Sequence, residues 1–80
     1  ETNFIIANGL SGWKKDVFEI LCTIGKEEVT LSEILAYTSQ LERKHPNNNH
    51  VQAKIRQQLQ SLRDIGLLDF LGNGVYKMLC

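Results

Sequence analysis

The stretch NNNHVQAKIRQQLQ, residues 47–60, gathers side chains that recognise rather than react. With 100° per residue and Ile55 at 0°, Asn49, His50, Ala53, Arg56, Gln57 and Gln60 fall between roughly 100° and 220° of a helical wheel. Val51, Ile55, Leu59 and Leu62 occupy another arc, about 100° wide. Asn and Gln carry a donor and an acceptor on one planar amide, so either can bond N7 and the N6 amino group of adenine together. Arginine grips guanine or a phosphate. A short alanine allows close approach and offers a methyl group. Glutamine is also a good helix former, so the same residues suit an ordinary solvated face. Lys54 and Arg63 flank the arc and fit either phosphate contact or solvation. Asp64 would repel phosphate, which places the last turn outside a groove.

Reactive chemistry has no comparable pattern. No P-loop, G-x-S-x-G or dinucleotide fingerprint occurs, and Asp and Glu are scattered. His45 and His50 straddle Pro46 and three asparagines, a setting that suits a solvated loop or phosphate contact better than a metal. Cys22 and Cys80 lack metal-ligand spacing and are too few for a disulfide framework, so both are expected as thiols in a reducing cytoplasm. No catalytic residue and no cofactor are expected for this chain.

The helix bearing the amides needs a scaffold. SGWKKDVFEILCTIG opens with Ser11 as a candidate cap and repeats Trp13, Val17, Ile20, Leu21 and Ile24 at helical spacing, up to Gly25. The apolar NFII of residues 3–6 is expected to pack on the exposed side of this helix near Phe18, or on a neighbouring domain. Thr30 and Glu33 fit a capping box for a second helix, whose Leu31, Ile34, Leu35, Thr38 and Leu41 share a face. Glu28 to Thr30 can form a very short strand. Pro46 stops the second helix, and Asn47–Asn49 offer caps for the third. After Gly66, two strands flank Gly72-Asn73-Gly74. The spacing predicts helices near 12–24, 31–44 and 49–65 and a hairpin at 67–79. Trp13, Val17, Ile20, Leu35, Leu41, Ile55, Leu59, Leu62 and Phe70 are expected in the core. Three helices followed by a hairpin make an α+β winged helix-turn-helix. In that arrangement the third helix enters the major groove. The wing adds a second surface, where Lys77 could meet a phosphate; alternatively Tyr76 packs in the core and Lys77 is merely exposed.

The bulk numbers bound this reading. Eighty residues, 42% hydrophobic, suit one domain over 1–80, which buries roughly 60–65% of its unfolded surface. No apolar run is long enough for a membrane helix. Residue 1 is Glu, so a segment of a longer protein is expected. Formal net charge is zero, but residues 1–42 carry seven acidic and three basic side chains, a net of −4, and residues 43–80 carry six basic and two acidic, a net of +4. Such asymmetry leaves a basic face on a neutral molecule.

Residues 45–77, HPNNNHVQAKIRQQLQSLRDIGLLDFLGNGVYK, resemble the C-terminal winged-helix domain of DpnI-type restriction endonucleases and Dam-replacing proteins. The marks are NNH, KIRQQLQ and LRD, then an acidic-aromatic strand, a G-x-G-x-Y hairpin, and Gly12-Trp13 at the start of the first helix. The resemblance implies a parent with an N-terminal metal-dependent nuclease domain of the PD-(D/E)XK type. It implies that the winged helix binds adenine-methylated GATC, with the third-helix face reading the site and Asn47–His50 helping to anchor phosphates. Relatives tend to be basic where this chain has Ile65, Asn73 and Val75. The expected role is therefore sequence-specific binding of double-stranded DNA as the recognition module of a restriction endonuclease, through Asn49, His50, Ala53, Lys54, Arg56, Gln57, Gln60 and Lys77. The rival is a winged helix that docks a protein partner through NFII and the first helix.

Overall fold

The computed structural model describes residues 9–79. Seven elements follow one another: α1 (Gly12–Ile24), β1 (Glu28–Thr30), α2 (Leu31–Leu35), α3 (Thr38–Lys44), α4 (Val51–Asp64), β2 (Leu68–Gly72) and β3 (Val75–Met78). The helices pack together beside a three-stranded antiparallel sheet of order β1-β3-β2. This is the expected α+β winged helix-turn-helix.

Local chemistry sets the boundaries. Gly25 closes α1 in the left-handed conformation, φ 71°, and its N–H bonds the Leu21 carbonyl. Ser11 occupies the N-cap position of α1 without a side-chain cap bond. The Thr30–Glu33 capping box forms in both directions. Lys26 also bonds Glu33 at 2.5 Å, and this bond, with the Thr30 N–H, lowers the Glu33 pKa to about 2.

The expected helix 31–44 is two helices. Thr38 Oγ1 donates to the Leu35 carbonyl at 2.5 Å, while Tyr37 N–H bonds Ile34 three residues back. A threonine hydroxyl competes for carbonyls in this way and tightens the turn. The helix expected as the third, 49–65, is α4 and begins at Val51, so Asn49 and His50 stand on the turn before it.

The hairpin closes through Asn73 and Gly74, both at positive φ, as a two-residue type I′ turn requires. The register shifts between Phe70 and Gly72, where the extra residue Leu71 is 47% exposed. β3 pairs with β1 from Glu28–Lys77 to Thr30–Val75. The Gly74 carbonyl accepts from Leu31 N–H at 2.7 Å, tying the wing turn to the start of α2.

Val17, Phe18, Ile20, Leu21, Val29, Ile34, Leu41, Val51, Ile55, Leu59, Leu62 and Leu68 form one buried cluster. Phe18, expected on the exposed side, is fully buried, because α1 meets more than one neighbour and its apolar arc is wider than the stripe. Trp13 and Leu35, expected inside, are partly buried against the cluster. Phe70, also expected inside, is 44% exposed. It shares the helix-facing side of the sheet with buried Leu68, but the part of α4 beside it presents Arg56, Gln60 and Arg63, so the helix lays no apolar side chain over it. NFII lies outside the described residues.

Candidate nucleic-acid interface

α4 is amphipathic in the way its sequence dictates. Val51, Ile55, Gln58, Leu59 and Leu62 are buried, and the helix packs on α1, α3 and β2. Ala53, Arg56, Gln57, Gln60 and Arg63 are exposed on the outer side, with Lys54 half-buried at its flank. One amide of the glutamine run, Gln58, therefore belongs to packing. Gln60 Nε2 donates one hydrogen to Asp64 Oδ1 at 3.0 Å, so its carbonyl oxygen and second amide N–H are left to bond elsewhere.

Asn49 and His50 are exposed immediately before the helix. The turn that carries them is built from backbone and buried charge. Asn48 Oδ1 accepts from His50 N–H at 2.8 Å, the bond typical of an Asx turn. Asn48 N–H bonds the His45 carbonyl at 3.1 Å. His45 Nε2 lies 2.6 Å from Asp16 Oδ2, and Lys44 Nζ donates to Asp16 Oδ1 at 2.8 Å. The His45 ring stacks on Trp13 with centroids 3.9 Å apart. Burial alone would raise the Asp16 pKa, but the bonds from Lys44 and His45 outweigh it and hold the carboxyl below its ordinary value. The Asp16 bond raises the pKa of Lys44.

Asp16 was missing from the expected site, though its signal was present. It stands three residues after Trp13 and one before Val17, so the core stripe of α1 contains an acid at its edge. The expected capping by asparagine takes another form: His50 occupies the N-cap position without a side-chain cap bond, and Asn48 braces the turn behind it.

The wing departs from expectation more sharply. Lys77 lies on the outer sheet face, because side chains alternate along β3 and Tyr76 takes the helix-facing side. Its Nζ is 3.8 Å from Glu27, and its cross-strand partners are Glu28 and Asp69. The structure thus brings Ala53, Lys54, Arg56, Gln57 and Gln60 together on one helix, sets Asn49 and His50 at its entrance, and leaves Lys77 among carboxylates on another face. Residues 10–78 match the family described as the Dam-replacing HTH domain.

This chain belongs to that family. A Dam-replacing HTH domain is a DNA-binding module, and in this Dam-replacing HTH domain α3, the turn and α4 make the helix-turn-helix. Among the described residues no helix is long and apolar enough to cross a membrane.

Proposed function

We propose that this domain reads adenine-methylated GATC-like sites in duplex DNA, as the recognition part of a restriction endonuclease whose catalytic domain lies elsewhere in the polypeptide. The observation that carries the reading is the exposed face of α4, where Ala53 sits between the turn residues Asn49 and His50 and the amides of Gln57 and Gln60. In GATC the two adenines occupy adjacent base pairs on opposite strands, with both N6 groups in the major groove. One helix can approach both modifications, so a monomer suffices. Each methyl removes one donor hydrogen from N6 and adds apolar surface. A reader needs a small apolar wall there, and Ala53 supplies it while the surrounding polar groups read neighbouring base edges.

Burying one methyl contributes about 0.8 kcal/mol, so two give a preference on the order of tenfold. Titration of unmethylated, hemimethylated and fully methylated GATC duplexes should show affinity rising in that order. Ala53→Glu should weaken all three through repulsion and erase the preference. Three equal affinities would remove methyl reading, and an Ala53→Glu variant that behaves as wild type would move the contact off this helix face.

A further inference from the structure

Between α4 and the helix-facing side of the wing lies a pocket of about 130 Å³, lined by Arg56, Gln60, Arg63, Phe70 and Tyr76. Three features of it call for an occupant. Phe70 is 44% exposed although it points to the same side as the core, and it stands against Tyr76 with ring centroids 5.3 Å apart. Arg56 and Arg63 are exposed at its rim, and among the described residues neither guanidinium has a carboxylate partner. The acids nearby are turned to other uses: Asp64 holds the amide of Gln60, and Asp69 sits on the outer sheet face opposite Lys77.

We propose that this pocket binds one deoxyribose of a DNA strand, with its two flanking phosphates, beside the groove that α4 enters. Each guanidinium takes one of the two phosphates, and the Phe70 ring meets the C–H surface of the sugar between them. Two arginines about two helical turns apart on one face can grip consecutive phosphates along a strand. An aromatic floor would add nothing to a bare anion, so the pocket suits an anion joined to an apolar body. In a duplex the base faces are covered by their neighbours, and the sugar edge is what remains to meet a ring. The inference deepens the DNA-binding reading and makes no use of methylation. It moves the wing's contribution from Lys77 to Phe70 and Tyr76.

The test compares wild type with Phe70→Ala, Arg63→Gln and Arg56→Gln on duplexes with and without GATC, methylated and not, over a range of salt, with single-stranded oligonucleotides in parallel. Phe70→Ala should weaken every duplex by a common factor of about five, and Arg63→Gln and Arg56→Gln should each flatten the salt dependence by about one unit of slope. The ratio between methylated and unmethylated duplexes should stay as in wild type for Phe70→Ala and Arg63→Gln. Both of those positions are exposed, and Arg63→Gln keeps the test open if the alanine variant folds poorly. Unchanged affinity and slope for Phe70→Ala and Arg63→Gln, with methyl preference intact in wild type, would overturn the pocket and leave methyl reading standing. A wild type without methyl preference whose affinity still falls with Phe70→Ala would do the reverse. Loss confined to single strands would assign the pocket to an unpaired nucleotide and overturn the duplex proposal, and no duplex binding by wild type would overturn both readings.

Discussion

Asp16 is a nearly buried carboxylate whose two partners come from the far end of another helix. Lys44 and His45 reach it at 2.8 and 2.6 Å, so one acid on α1 fixes the turn that leads into α4. Asp16→Asn keeps the shape but removes the charge that both partners face. The loss should be about 1.5–3 kcal/mol at neutral pH, the range for hydrogen bonds to charged groups, read by urea unfolding. Because the folded pKa of Asp16 is depressed, its contribution is complete above the ordinary value of 3.8 and disappears as pH falls through the lower folded value. Wild type and variant should therefore converge in acid, and a gap that persists there would mean packing rather than charge. Glu33 loses its own contribution in the same direction, between its ordinary 4.5 and about 2. Residue types showed that α4 presents amides and a small alanine outward. Spacing already set Gln58 at about 300° of the helical wheel, beside Val51, but nothing in the sequence showed that Phe70 is uncovered, since that depends on what a neighbouring element presents.

At the scale of elements, the starts and stops legible in the sequence are those set by local bonds. The Thr30–Glu33 box, the left-handed Gly25 and the Asn73-Gly74 turn each complete their chemistry within a few residues. The division between α2 and α3 was hidden because the Thr38 hydroxyl has a choice of partners, and only the folded backbone shows that it takes the Leu35 carbonyl. The pairing of β1 with β3 was hidden for another reason: a three-residue strand carries no mark of its partner. The apolar arc of α4 was plain, and Leu59 is its fully buried centre. Leu59→Ala should cost about 2–5 kcal/mol, because the cavity it leaves cannot close between packed helices. A chemical-denaturation midpoint close to wild type would show that α4 packs less tightly than its burial indicates.

For the whole molecule, zero net charge conceals a division. Acidic Glu27, Glu28 and Asp69 gather around Lys77 on the outer sheet face, while Arg56 and Arg63 border the opposite side beside α4. The basic second half of the sequence pointed to α4 but could not say which way Lys77 would face, because strand parity depends on register. The stack of Trp13 on His45 has an optical consequence. Trp13 is the single tryptophan of the chain, and its indole lies against an imidazole on the turn that delivers Asn49 and His50. An imidazole at 3.9 Å is close enough to influence the excited indole, so the domain carries its own fluorophore beside the turn. Emission should shift as duplex is added if the turn settles on the phosphates, and His45→Ala should abolish most of the response. A titration in which binding is seen by another method while Trp13 emission stays constant would place the turn away from the duplex.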